Sequence, residues 1–204
     1  MENGKVKIAV LVSGGGTNLQ ALIDAERGGA LKSGSIAAVI SNNENAYALT
    51  RAEKAGIKTR VITKAAYKEN FETELISAIK GAGAELIVLA GFMSILSARF
   101  TGEFKDRIIN VHPALIPSFC GKGYYGLKVH QAALDYGVKV TGATVHFVNE
   151  IPDGGRIIMQ KAVDVLPTDT AESLQQRVMR EAEWRILPAA CEQICGKILK
   201  GEKL

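Results

Sequence analysis

The run Val6 to Val12 (VKIAVLV) is apolar and rich in β-branched residues, and it stops at Ser13-Gly14-Gly15-Gly16. Behind the glycines, TNLQALIDAERGG spaces Leu19, Leu22 and Ile23 along one face of a helix. A strand that is apolar on both faces has no side to give to water, so it belongs inside a parallel sheet covered by helices. The same grammar repeats along the chain. IAAVIS (36–41) precedes a helix from about Ala46 to Ala55 that Gly56 closes, and TRVIT precedes a helix around Phe71, Leu75, Ile76 and Ile79. ELIVLAGFM (85–93), a short helix near Ser97 to Phe104, and RIINVHPALIP (107–117) follow. Then the pattern changes. VTGATVHFV (140–148) and GRIIMQKAVDV (155–165) are separated only by NEIPDG, too short for a crossover, which predicts an antiparallel extension. The last segment reads as a long terminal helix or helix pair, with Asp169 or Thr170 as N-cap and Pro188 as a break or kink. The expected fold is α/β: a three-layer, mostly parallel Rossmann-like sheet with an antiparallel C-terminal extension.

At 204 residues there is room for one core. An apolar fraction of 47% with 23% charged residues and a net charge of +4 excludes disordered and fibrous classes. The basic residues are scattered, so they do not argue for nucleic acid and suit anionic small ligands equally well. The apolar start leads straight into glycines without a signal peptide's pattern, and no segment reaches the eighteen or so apolar residues of a membrane span. A cytoplasmic protein without membrane or nucleic-acid partners is expected. Cys120, Cys191 and Cys195 lack metal-ligand spacing, which predicts reduced, structural thiols and no metal site.

In an open parallel sheet, ligands bind outside the carboxyl ends of the strands, so SGGGTN, SNN, GFMSIL and NVHPALIP share one rim. The free N–H groups and dipole of the helix after SGGGTN favour an anion such as a phosphate. Neither the third glycine of a dinucleotide fingerprint nor the lysine of a P-loop is present. A tight glycine turn capped by Thr17 or Asn18 explains the loop equally well. Asn110 and His112 are two residues apart, hence on one face of a strand at the rim, where a neutral amide and a protonatable donor suit an oxygen that becomes negative. Asp153 in EIPDGG is ordinary turn chemistry, or a carboxylate that holds His112 protonated. His130 falls on a helix with an expected solvent face, and His146 is expected to support the site rather than react.

VLVSGGGTNLQALID, LAGFMSILS, NVHPALIPSFCG and TGATVHFVNEIPDGG together resemble the folate-dependent formyltransferases, and within them the glycinamide ribonucleotide transformylases. The resemblance runs from about residue 5 to 195 and implies one formyltransferase domain over 1–204, with a phosphate-binding part at about 1–100 and a catalytic and folate-binding part at about 85–204. It implies transfer of formyl from 10-formyltetrahydrofolate, as co-substrate, to the glycyl amine of glycinamide ribonucleotide, by a monomer or homodimer. On the matching positions it makes Asn110, His112 and Asp153 the catalytic trio. It makes Gly15, Gly16, Thr17 and Asn18 the phosphate loop. Glu183 becomes the acidic residue on the terminal helix that holds the substrate, reached by a one-residue shift of helical register. The folate falls to Met93, Ser94, Ile95 and Leu96, to Asn110, and to the loop Val148, Asn149, Glu150 and Asp153. Lys68 and Arg107 match basic residues near the folate tail and the catalytic strand. CGKGYYGLKVH is longer than the family's shorter version, and its glycines suggest a flap over the site.

Three other functions compete. A 10-formyltetrahydrofolate hydrolase uses the same Asn, His and Asp but carries a regulatory domain for which there is no room here. Formyltransferases acting on methionyl-tRNA or sugar nucleotides lack the SGGGTN loop, and a non-catalytic nucleotide-binding module has no use for the trio.

Overall fold

Five segments become parallel strands: β1 (Val6–Val12), β2 (Gly34–Ser41), β3 (Thr59–Val61), β4 (Leu86–Leu89) and β5 (Ile108–His112). Two more, β6 (Val140–Phe147) and β7 (Ile157–Asp164), extend the sheet antiparallel, as the short NEIPDG connection requires. This computed structural model describes residues 4–204, and its sheet runs in the order β3-β2-β1-β4-β5-β6-β7. The chain winds outward through β2 and β3, then restarts on the other side of β1 at β4. That reversal opens a crevice at the carboxyl ends of β1, β4 and β5.

The helices are α1 (Thr17–Arg27), α2 (Tyr47–Lys54), α3 (Lys64–Tyr67), α4 (Phe71–Gly81), α5 (Ala98–Glu103), α6 (Leu127–Tyr136), α7 (Ala171–Val178) and α8 (Trp184–Lys200). Alternation along β1 assigns the layers. Ile8, Val10 and Val12 pack with Leu19 and Leu22 of α1 and Leu187 and Ile194 of α8, whereas Ala9 and Leu11 pack with Leu75 and Ile79 of α4 and Phe100 of α5. Burying each such aliphatic side chain contributes about 2 kcal/mol, so both faces of the central strands are fixed by apolar area rather than by polar contacts. Among the described residues no helix is long and apolar enough to cross a membrane.

The terminal segment settles the choice of N-cap and departs from the sequence reading at Pro188. Thr170, not Asp169, is the N-cap, and its side chain and that of Ser173 each accept the other's backbone N–H. Asp169 instead accepts from both guanidinium nitrogens of Arg177 at 2.5 Å. Pro188 does not break the helix, for α8 runs through it. The irregularity lies earlier, in a π-helical turn at Met179–Glu183. Trp184, whose carbonyl would oppose the proline ring, already has ψ of −12°, away from the regular helical value of about −42°. A π turn holds one residue more than an α turn, and Glu183 at its end lines the crevice.

Candidate active site

The crevice at the carboxyl ends of β1, β4 and β5 is a cavity of about 970 Å³. Its lining brings together Gly15, Gly16, Thr17, Asn18, Met93, Ser94, Ile95, Asn110, His112, Asp153 and Glu183, which lie far apart in sequence.

At one end sits the glycine loop. Gly16 has φ of +72°, and a Cβ there would come within 2.6 Å of the Ala48 Cβ on α2, so glycine is required twice over. As the N-cap of α1 it supplies no side chain to the helix, which leaves the first N–H groups of α1 facing the cavity. The side-chain cap by Thr17 or Asn18 that the sequence allowed is not formed. Arg51 braces the loop from behind, donating from Nε to the Gly15 carbonyl at 2.8 Å. Asn18 donates from Nδ2 to Glu183 at 2.6 Å, joining the loop to the terminal helix across 165 residues of chain. Glu183 is buried, and burial raises its pKa while the Asn18 amide opposes the rise. The other Asn18 amide atom, Oδ1, is buried without a partner, an acceptor left for a ligand hydroxyl or amine.

In the middle lie Asn110, His112 and Asp153. The β5–β6 register sets Asn110 opposite His146 and His112 opposite Thr144, so all four side chains share one face. Phe147's carbonyl can only accept, so His146 donates to it from Nδ1 at 2.8 Å, while its Nε2 lies 3.2 Å from Asn110 Nδ2 and 3.6 Å from Asp153 Oδ1. This fixes the carboxamide with its second Nδ2–H free to point elsewhere. His146 thus supports Asn110, as its sequence position suggested.

His112 follows the same logic. Its Nε2–H donates to the Phe119 carbonyl at 2.8 Å, which leaves Nδ1 facing Asp153 Oδ2 at 3.5 Å. A second proton would therefore land on Nδ1, against the carboxylate. In the free protein burial wins: it lowers the His112 pKa, Asp153 and the Phe119 carbonyl raise it, and the net direction is downward. The residue is 4% exposed, so lost hydration works against the charged form that Asp153 and the Phe119 carbonyl favour. Asp153 is half-buried; burial raises its pKa, but His146, His112 and the Gly121 N–H, which it accepts at 2.8 Å, pull it below the usual carboxylate value. It has φ of +55°, and Gly155 beyond it allows the turn because a Cβ there would meet the Phe147 carbonyl at 1.7 Å.

A smaller cleft of about 140 Å³ opens beside Asn110, lined by Ser94, Ile95, Leu96, Val148, Asn149, Glu150 and Asp153. In the wall of the large cavity next to it, Met93 and Ile95 are 57% and 72% exposed, forming an apolar ledge. Lys68 does not belong to this arrangement. It is exposed in a short turn, Lys68–Asn70, beyond the edge strand β3, and lines neither cavity. Arg107 precedes β5 and lines a separate cavity with Ala84, Glu85 and Phe104, at the amino ends of β4 and β5.

Three features escaped the sequence. His130 is buried, not solvent-facing, and lines the large cavity. Its neighbours Val129 and Ala133, four apart and both buried, mark the inward face of α6 and could have revealed it. The Phe119 carbonyl and Gly121 N–H, at the root of the longer flap, grip His112 and Asp153 through backbone atoms, for which side-chain patterns give no signal.

Residues 6–191 match the family described as Formyl transferase. The chain belongs to the formyl transferase family. As a formyl transferase it is 43% identical over 184 residues to the phosphoribosylglycinamide formyltransferase of Haemophilus influenzae, covering 89% of this chain and 84% of that one. It is 43% identical over 204 residues to the human trifunctional purine biosynthetic protein adenosine-3, covering 98% of this chain and 20% of that protein. This formyl transferase thus spans about a fifth of the length of its trifunctional relatives. The crystal structure of glycinamide ribonucleotide transformylase 1 from Symbiobacterium toebii superposes with a TM-score of 0.88 at 40% identity, covering 96% of this chain and 90% of that one. The phosphoribosylglycinamide formyltransferase of Brucella melitensis gives 0.86 at 40% identity, over 94% and 96% of the two chains.

Proposed function

We propose that the protein transfers the formyl group of 10-formyltetrahydrofolate to the glycyl amine of N1-(5-phospho-D-ribosyl)glycinamide, giving the formylated ribonucleotide and tetrahydrofolate in purine (IMP) biosynthesis. The observation that carries this reading is one continuous cavity with the open N-terminus of α1 at one end, Asn110, His112 and Asp153 in the middle, and an apolar ledge beyond. In this reading Gly15, Gly16, Thr17 and Asn18 hold the phosphate, and Glu183 with Asn18 holds the ribose end. Met93, Ser94, Ile95 and Leu96 bed the flat pterin, while the backbone of Val148, Asn149 and Glu150 reads its edge. The substrates are small molecules, and we place the reaction in the cytoplasm.

Attack of the amine on the formyl carbon forms a C–N bond and pushes an electron pair onto the formyl oxygen. The free Nδ2–H of Asn110 meets that oxyanion, and His112, in the form that has taken a proton from solvent onto Nδ1, supplies the second stabiliser. Asp153 gains most from that protonation, being 3.5 Å away. Through water it takes up the proton lost by the amine, which returns to the folate nitrogen as the old C–N bond breaks.

The test mixes the protein with 10-formyltetrahydrofolate and follows folate absorbance with and without the ribonucleotide. Turnover that requires the ribonucleotide is expected. Deformylation equally fast without it would replace this reading with a hydrolase.

A further inference from the structure

His130 lies in the first helical turns of α6, with its side chain 1% exposed. Both ring nitrogens are buried, and neither has a hydrogen-bond partner. A donor and an acceptor left unpaired inside a protein each cost free energy that a leucine of similar volume would not, so the imidazole is unfavourable as a packing residue. It lines the large cavity, on the wall that α7 and the π turn complete with Gln175, Met179 and Glu183. It is absent from the smaller cleft where Leu96 and Val148–Asp153 gather.

We propose that His130 is a ribonucleotide-binding residue whose imidazole hydrogen-bonds an uncharged polar group in the middle of that substrate, a ribose hydroxyl or the carboxamide. The inference rests on the proposed formyl transfer to glycinamide ribonucleotide. The phosphate end is served by α1 and the folate by the opposite ledge, which leaves the span between them for His130. Burial, with the nearby His112, lowers its pKa to about 4, so at neutral pH the ring is uncharged and presents one N–H and one lone pair. That pairing matches a group that both accepts and donates, and it suits phosphate or carboxylate poorly.

The experiment measures KM for each substrate, kcat and Tm in wild type, His130→Leu and His130→Asn, and the affinity of each protein for the ribonucleotide alone by calorimetry. Loss of about one net hydrogen bond should raise the ribonucleotide KM and Kd about tenfold in His130→Leu, with the folate KM within twofold and Tm equal or higher. His130→Asn, which keeps a donor and an acceptor, should recover most of the loss. An unchanged ribonucleotide Kd in His130→Leu would overturn the proposal. So would parallel rises in both KM values with a lower Tm, the signature of a structural residue. His130→Ala, judged by the same criteria, decides the matter if the leucine variant does not fold. Wild type that binds the ribonucleotide but does not formylate it refutes the proposed reaction and leaves the binding comparison to decide on His130.

Discussion

Replacing Asp153 by Asn removes the one carboxylate that faces both His112, at 3.5 Å, and His146, at 3.6 Å, while keeping the side chain's shape. A unit charge at that distance in an effective dielectric of about 20 favours imidazolium by roughly 4–5 kcal/mol. At about 1.4 kcal/mol per factor of ten, its loss lowers the protonated population of His112 about a thousandfold. Burial already pushes that pKa down, and only the Phe119 carbonyl would remain to raise it. Turnover at neutral pH should therefore fall about a thousandfold, with both KM values little changed. The pH profile gives a second sign. Since His112 in Asp153→Asn protonates only at lower pH, residual kcat should climb as pH falls from 8 toward 5.5. The assay is kcat and kcat/KM against pH, with circular dichroism to show that the fold persists. Activity within tenfold of wild type at pH 7, or a residual rate that falls with pH, would refute the coupling of Asp153 to His112.

Gly16→Ala should be destabilising by about 2–5 kcal/mol, combining the left-handed φ with a new contact at 2.6 Å to Ala48, and should also raise the ribonucleotide KM; a thermal scan and a KM titration read both. Asp169→Ala leaves the Arg177 guanidinium unpaired and the Leu166 N–H without its acceptor, so a loss of about 3–5 kcal/mol is expected in denaturant unfolding. Because Arg177 holds the Asp169 carboxyl well below the usual range, its contribution is complete above the unfolded carboxylate pKa of about 4 and disappears only as pH falls through the much lower folded value. Wild type and Asp169→Ala should accordingly differ in stability at pH 5 as much as at pH 7.

The parallel sheet and the sharing of one rim were legible because β1, β2, β4 and β5 are apolar on both faces and because glycines end the first βα unit. Asn110 and His112 were legible as a pair, since strand periodicity alone puts them on one side. Asp153 was not, for its approach depends on the antiparallel β5–β6 register and on a left-handed turn, which are settled by long-range pairing. Glu183 needed the π turn, a change of helical pitch that no apolar period announces. His130 was misread because its helix carries exposed Lys128 and Gln131 on either side of it, hiding that the Val129–Ala133 stripe turns the imidazole inward. Lys68 and Arg107 were matched on charge and sequence position; Lys68 follows the carboxyl end of the edge strand β3 and Arg107 precedes the amino end of β5, so neither lines the central crevice.

The fate of the formyl carbon tests the central claim most directly. With 10-formyltetrahydrofolate labelled at that carbon and the ribonucleotide present, the label should appear on the glycyl nitrogen, one for each tetrahydrofolate released. Label recovered as free formate, with the ribonucleotide unchanged, would contradict it.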